Sequence, residues 1–378
     1  MISIWERDTF FAPQDVVIAG SGFVGLWSAY YIKKKHPKAK VSIIDRGMIP
    51  TGASTRNAGF ACFGSLTEVI HDAETMGLEK TLALVELRYK GLERIQKVFS
   101  SSKIDFELCG GYELFDAAHS MPADKINHYI AYLNSLLKNI TGSKKTYRLT
   151  DDKVETFGFG STAHMVENRF EGYLHSGKLV QALMRKVQAM GVQIFSSIEI
   201  KLFQTTIDGI EITTDKNISF TAKQLLICTN AFAKELLPEA DIVPARGQVL
   251  VTSPIKGLPW KGTFHFDEGY YYFRNLDNRV LLGGARNKDF EGERTTEFNT
   301  TETIQATLEH FLHDVILPNY KNTYTIEHRW SGIMAMGSEK SPIIKEVQPN
   351  IFCAVRMSGM GVALAPVIGQ KMSDLLLH

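Results

Sequence analysis

No stretch of this 378-residue chain approaches the ~20 consecutive apolar residues that a membrane-spanning helix needs. Residues 1–12 lack the basic start and apolar middle of an export signal, so a cytoplasmic location is expected. Cysteine is scarce. Cys62, Cys109, Cys228 and Cys353 stand far apart, with no C-x-x-C pair and no metal-ligand spacing, so reduced thiols and no metal site are expected. Excess charge is missing as well: 42 Lys and Arg balance 41 Asp and Glu, for a formal net charge of +1. A surface of mixed sign gives no electrostatic reason to expect nucleic acid as a partner. There are no repeats and no low-complexity tracts. What remains is the composition of a soluble enzyme, long enough to divide into two domains.

The most informative stretch lies near the start. Val16–Ala19 reads as an apolar strand, Gly20-Ser21-Gly22-Phe23-Val24-Gly25 as a glycine-spaced turn, and Leu26–Ile32 as a helix. That order suits a dinucleotide pyrophosphate. Gly20 permits a tight turn, Gly22 lets the backbone approach the phosphates, and Gly25 lets the helix close on the strand, while the helix N-terminus offers N–H groups to the anion. Phe23 and Val24 sit in that turn. A second strand, Val41–Ile44, ends in Asp45, whose carboxylate can accept hydrogen bonds from ribose hydroxyls. The fingerprint alone does not separate FAD from NAD(P), so an NAD(P)-linked dehydrogenase stands as the alternative.

Along the rest of the chain, the pattern predicts a long helix over roughly residues 68–99. A strand follows at Gly111–Phe115, and a helix begins at Pro122 and ends at Gly142. From Ser176 the α/β pattern returns: a helix to Gly191, a strand at Val192–Phe195, a hairpin through Asp208-Gly209, and an apolar run, Leu225–Cys228, that reads as a buried parallel strand. Residues 243–330 read as an antiparallel sheet crossed by a helix at Thr303–Ile316. The tail holds two strands, Ile343–Val347 and Ile351–Val355, then a glycine loop and a final helix. The expected fold class is α/β, with a discontinuous Rossmann-like nucleotide-binding domain (residues 1–75, 165–232 and 330–378). An α+β substrate domain on an antiparallel or mixed sheet (76–164 and 233–329) is threaded through it.

Several segments carry a resemblance. Asp45-Arg46-Gly47, Gly52-Ala53-Ser54-Thr55-Arg56-Asn57-Ala58-Gly59, His175–Leu179, Ile227–Ala231, Arg246-Gly247-Gln248, Trp330–Ile333, Pro342–Ile344 and Ser358–Pro366 resemble the FAD-dependent amine oxidoreductases of the D-amino-acid oxidase, glycine oxidase and sarcosine oxidase type. Tyr271-Tyr272-Phe273-Arg274, leading to Leu281–Gly284, leans toward polyamine-side members such as γ-glutamylputrescine oxidase. The resemblance implies a non-covalent FAD. Its phosphates, ribityl chain and ribose would meet Gly20, Gly22, Phe23, Val24, Gly25, Asp45, Ser54, Thr55 and Asn57, with Arg46 beside the adenine and the Ile198 backbone on its edge. It places Ala58, Gly59, Thr229, Gly332, Gly359, Met360, Gly361, Val362 and Ala363 near the cofactor too, Ala58 and Gly59 beside the isoalloxazine and the last five by its pyrimidine side. Arg56, Phe60, Tyr271, Met334 and Met360 are the expected substrate contacts; Tyr270 and Tyr272 should share one face of their strand and Tyr271 the other.

The resemblance also implies the reaction: a hydride leaves the carbon beside an amine nitrogen, and the resulting imine is hydrolysed. No general base is needed if the amine binds neutral, so none is named among the eleven histidines. Two departures matter. Amino-acid-oxidising members hold the substrate carboxylate with an arginine where this chain has Met334, which points to an amine or N-substituted substrate unless Arg246, Arg274 or Arg356 replaces it. The cysteine that tethers flavin in sarcosine oxidases is absent near position 332. Oxygen or another acceptor would reoxidise the flavin. A flavin-binding protein without turnover is the non-enzymatic alternative.

Overall fold

The computed structural model describes residues 1–118, 121–320 and 323–377; the five others, which fall inside the expected domain spans, lie outside the described residues. The chain forms two compact units. The first comprises Met1–Arg56, Ser176–Ala245 and Met334–His378; the second comprises Asn57–His175 and Arg246–Ile333. Residues 57–75, 165–175 and 330–333 fall in the second unit rather than with the nucleotide-binding segments expected from sequence, and residues 233–245 fall in the first. For residues 57–75 the reason is a chain of long-range pairings: Phe60 and Ala61 form an antiparallel ribbon with Tyr173 and Gly172, and Tyr173 bridges in turn to Glu107 of the expected substrate segments.

The first unit is built on a sheet in which Ile351–Val355, Ser219–Ile227, Gln14–Ala19, Val41–Ile44 and Gln193–Phe195 lie side by side, all parallel. Ile343–Gln348 adds an antiparallel edge. Ile18 stands opposite Leu226 on one side and Ile43 on the other, and all three are fully buried. Near-continuous apolar strands of this kind are what a parallel sheet covered on both faces requires. The helix after the glycine turn, Phe23–Lys35, packs against the final helix, Gly361–Leu375. The approach is close: a Cβ at residue 369 would lie 2.6 Å from the Trp27 carbonyl carbon.

The second unit carries a mixed sheet. Its antiparallel run Arg279–Gly284, Tyr271–Leu276 and Thr263–Phe266 continues through one parallel pairing to Gly111–Asp116, and then to Thr162–Asn168 and Tyr147–Leu149. One face is buried under an aromatic core in which Phe264 and Phe273 stack at 4.7 Å, with Trp260, Phe159 and Phe311 around them. The expected helix over 68–99 is two helices, Leu66–Met76 and Leu78–Val98, broken at Gly77, whose φ of +89° ends the first. Pro122 caps Ala123–Thr141 from outside rather than sitting in its first turn. The Thr303–Ile316 segment is α-helical only to Phe311 and finishes in a π turn, Leu312–Ile316, before Pro318. Among the described residues no helix is long and apolar enough to cross a membrane.

Candidate functional site

At the carboxyl edge of the parallel sheet the glycine turn is held from several sides. The Gly20 amide donates to the Ile44 carbonyl at 2.8 Å. Gly25 lies so close to the turn that a Cβ there would come 2.0 Å from the Gly20 carbonyl oxygen. Asp45 ties the turn to the next loop: its carboxylate accepts from the Ser21 amide (2.7 Å) and hydroxyl (2.6 Å), and from the Gly47 amide (2.8 Å). The Ser54 hydroxyl reaches the start of the Phe23–Lys35 helix and accepts from the Phe23 amide at 2.8 Å. The first-turn amides of Val24 and Gly25 have no intrahelical acceptor, as at any helix start.

The loops around this turn supply the other expected residues. Arg46 lies over the Phe232 ring at 3.8 Å, with Glu199 and Glu235 at 3.8 and 3.5 Å. Thr55 spends its hydroxyl proton on the Pro50 carbonyl (2.5 Å), so toward a ligand it is an acceptor rather than a donor. Arg56 directs Nε back to the Thr51 carbonyl at 2.9 Å. The Ile198 amide donates to the Asp45 carbonyl at 3.0 Å, leaving only the carbonyl to read a base.

The far end of the chain arrives at the same sheet edge, because Ile351–Val355 lies beside Ser219–Ile227 and that strand beside Gln14–Ala19. Arg356, Ser358 and Gly359 all have left-handed backbone (φ +62°, +47° and +81°). The Met357 amide donates to Asn230 Oδ1 (3.3 Å), and the Met360 amide to the Met357 carbonyl (2.8 Å). From Gly361 the helix runs on through buried Val362 and Ala363. The Met334 sulfur lies 3.6 Å from where a Cβ at residue 359 would stand. Two hydroxyls here, Thr229 Oγ1 and Ser358 Oγ, are buried and unpartnered among the described residues. A buried hydroxyl without an acceptor costs free energy. Two of them beside a helix start and a glycine turn form a donor set suited to an oxygen-rich dinucleotide.

In the second unit Asn57 Oδ1 accepts from the Gly59 amide at 2.8 Å. Gly59 (φ +74°) is pressed against the neighbouring chain: a Cβ there would meet the Leu174 carbonyl oxygen at 2.3 Å. Phe60 meets His265 edge-on at 5.2 Å and Tyr272 at 5.9 Å. Ala58, Val249, Val251 and Leu281 form an apolar patch against which Phe60, Tyr272 and Trp330 pack. Gly332 follows on the same strand as Trp330.

Tyr271 is a correction. It points into the aromatic core, 4.5 Å from Phe311, and Tyr272 takes the Phe60 face instead. The overlooked signal was Gly283, the cross-strand partner of Tyr272, where a Cβ would lie 2.5 Å from the tyrosine ring. Burial pushes the Tyr272 phenol up to about 12 and the His265 imidazole down, so both are neutral near pH 7. Behind this face lie two buried carboxyls that the sequence reading did not single out. Glu113 accepts from the Thr67 amide (3.0 Å) and the Ser65 hydroxyl (3.2 Å), and from the Thr67 hydroxyl. Glu171 accepts from the Phe63 and Gly64 amides (2.7 and 3.0 Å).

Of the three arginines able to replace the one missing at position 334, two are committed. Arg246 pairs with Glu293 (2.7 and 2.9 Å) and binds Asn299. Arg356 donates to the Ser341 and Asp241 carbonyls (3.0 and 3.2 Å) and to the Asp241 carboxylate. The buried Arg274 gives Nε to the Ala58 carbonyl at 2.7 Å.

The sequence profile of the family described as "DAO: FAD dependent oxidoreductase" matches residues 15–375. The chain is 22% identical to a probable oxidoreductase, OrdL, of Haemophilus influenzae, over 96% of this chain and 83% of that protein. Among solved structures it superposes on L-proline dehydrogenase from P. horikoshii (TM-score 0.78, 19% identity, 96% of this chain and 93% of that one). It also superposes on glycine oxidase from Geobacillus kaustophilus (TM-score 0.77, 18% identity, 96% and 94%). None of these three names singles out the polyamine-side branch. The chain belongs to the DAO family of FAD-dependent oxidoreductases, which makes FAD, rather than a nicotinamide, its cofactor.

Proposed function

We propose that this protein oxidises the C–N bond of a small amine or amino-acid derivative. FAD, held without a covalent bond, would accept the hydride from the carbon beside nitrogen at its N5 atom, and water would hydrolyse the resulting imine to a carbonyl compound and an amine. The observation that carries the reading is the meeting of the Gly20–Gly25 turn and the Met357–Gly361 loop at one edge of the parallel sheet, with unpartnered hydroxyls beside them. In this reading the turn and Ser54 receive the diphosphate, and Asp45 takes the ribose in place of its bond to Ser21. Thr229 and Ser358 donate to cofactor oxygens, and Arg46 flanks the adenine. The amides at the start of the Gly361–Leu375 helix would stabilise negative charge on the reduced ring.

The chain's own contribution to the chemistry is positional. The apolar face of Ala58, Phe60, Val249, Leu281 and Trp330 disfavours an ammonium ion and so favours the neutral amine that can lose hydride. The deciding experiment is anaerobic mixing of the flavin-loaded protein with sarcosine, proline, glycine, D-amino acids and acylated polyamines, followed by visible absorbance. Bleaching by at least one amine is expected. A flavin that dithionite reduces and none of these amines does would instead support a flavin-binding protein without turnover.

A further inference from the structure

The turn that carries the chain from the Ile351–Val355 strand into the Met357–Gly361 loop begins at an arginine with left-handed backbone. Arg356 has φ +62°, and Ser358 (+47°) and Gly359 (+81°) follow it. Glycine enters this region freely and asparagine or aspartate at small cost, but a long side chain on a full Cβ does not. Such backbone persists only where its surroundings over-determine it, and it gathers where geometry must be fixed. The Arg356 side chain supplies that constraint. It is 6% exposed, and its Nε donates to the Ser341 carbonyl at 3.0 Å. Its Nη1 donates to the Asp241 carbonyl at 3.2 Å and also to the Asp241 carboxylate.

These contacts make a latch across three segments of the first unit. Ser341 lies in the turn between the Ile326–Met336 and Ile343–Gln348 strands, and Asp241 just ahead of Val243–Thr252. The two segments are also joined directly, since the Ser338 amide (3.0 Å) and hydroxyl (2.6 Å) donate to the Asp241 carboxylate. Gly337 leaves the room for this: a Cβ there would lie 2.6 Å from Arg356 Cδ and 2.8 Å from the Asp241 carbonyl oxygen. On the other side of Arg356 the backbone leads straight to groups with no partner of their own. The Met357 amide is held by Asn230 Oδ1, and the Ser358 amide by the Ala335 carbonyl at 3.2 Å. The Ser358 hydroxyl is buried and unpartnered among the described residues. So is the hydroxyl of Thr229, the residue before Asn230.

We propose that Arg356 is a positioning residue for the cofactor. Its latch to Asp241 and Ser341 holds the Met357–Gly361 loop in left-handed form, and so presets the Ser358 hydroxyl and the first amides of the Gly361–Leu375 helix. Arg356 touches no reacting atom and acts only through the backbone that follows it. Groups ordered in advance bind a ligand without the cost of ordering them at that moment. The assignment rests on the reading above only in placing this loop at the flavin; the identity of the amine does not enter.

The test separates the latch from the backbone. Arg356→Gly makes the left-handed turn easier while removing the latch, so a loop that needs only its conformation would bind FAD at least as well. The readouts are FAD affinity of the FAD-free protein, the midpoint potential of the bound flavin, and thermal melting without FAD. Arg356→Gly should bind FAD roughly 10–100-fold more weakly, the loss expected for hydrogen bonds from a charged group. Its flavin potential should become more negative, because the helix-start amides no longer meet the reduced ring in fixed positions. Melting without FAD should stay within a few degrees of wild type. Arg356→Lys, which can reach one of the two carbonyls, should recover part of both losses. Asp241→Asn keeps the backbone carbonyl and removes the acid of a half-exposed pair, so it should weaken FAD only about two- to fivefold. Ser358→Ala tests the placing of the loop itself and should weaken FAD with the latch intact. Ser358→Ala with unchanged affinity and potential would refute that placing, and the proposal with it. Ser358→Ala that weakens FAD, beside Arg356→Gly and Asp241→Asn proteins that bind it as wild type does, would overturn the positioning role alone. So would a lowered FAD-free melt with an unchanged potential, which would make Arg356 a purely structural residue. If Arg356→Gly does not fold, Arg356→Lys and Asp241→Asn decide by the same criteria.

Discussion

Raising the pH from 5 to 9 should unfold the second unit far more readily than the balanced charge of the chain suggests, and Glu171 is the main cause. Its carboxyl group is 1% exposed and accepts two backbone N–H bonds, but no cation is bonded to it. Burial raises its pKa to about 8, and that of Glu113 to about 7, from an ordinary carboxyl value of 4.5 for both. The folded state therefore holds protons that the unfolded chain gives up. Stability from these groups is fully present below pH 4.5 and is lost as pH rises through about 8. Each group costs about 1.4 kcal/mol per pH unit inside its window, on the order of 4–5 kcal/mol for Glu171 across the whole of it. Glu171→Gln keeps an acceptor for the Phe63 and Gly64 amides and removes the titration. The assay is thermal unfolding of wild type and Glu171→Gln in parallel at pH 5.5, 7 and 8.5, with saturating FAD, followed by far-ultraviolet circular dichroism. At about 2–4 °C per kcal/mol, the variant should gain on the order of 10 °C or more over wild type by pH 8.5, against only about 3–6 °C at pH 5.5. Parallel pH profiles would refute the reasoning, because they would mean that Glu171 is solvated or paired in solution.

Other outcomes follow from the geometry. Gly25→Ala places a Cβ 2.0 Å from the Gly20 carbonyl oxygen and should displace the helix that starts at the glycine turn; flavin-to-protein ratio after gel filtration should fall at least tenfold, with normal retention counting against it. Thr229→Val removes a buried hydroxyl that has no partner, so FAD-free protein should be equally or more stable in a thermal melt while FAD dissociation rises roughly tenfold. Tyr271→Ala should cost about 3–5 kcal/mol by opening a cavity beside Phe311, whereas Tyr272→Phe should leave the melting temperature within a few degrees and alter KM. Glu293→Gln leaves Arg246 buried without its acid and should destabilise by about 3–5 kcal/mol in chemical denaturation.

The elements legible from sequence were those whose signal is local. The glycine turn between an apolar strand and a helix, the apolar run at Leu225–Ile227 and the paired tail strands need only a dozen residues to be seen, and each forms where the pattern places it. Features set by distant partners were hidden. Periodicity runs unchanged across Gly77, so the helix break left no mark in the apolar pattern. Alternation at Tyr270–Tyr272 announces two faces without saying which is core; that choice is made by Phe311 and by the space over Gly283. The fates of the arginines were also invisible, since Arg246 finds Glu293 47 residues away and Arg356 finds Asp241 115 residues away. Only after those pairings are known does Arg274 stand apart from the other two, bonded to a backbone carbonyl and, among the described residues, to no acid.

The order of strands in the parallel sheet has a consequence for biosynthesis. Gln14–Ala19 leaves the ribosome early, yet one of its neighbours is Ser219–Ile227, which in turn borders Ile351–Val355. At ordinary elongation rates of about 5–20 residues per second, roughly 15–65 s separate the first of these strands from the last. During that interval Val16, Val17 and Ile18 present a bare, aggregation-prone edge, while the second unit's Asn57–His175 segment is already emerging. Nascent chains of this architecture should lean on chaperones, and slowing translation should lower the yield of soluble protein rather than raise it.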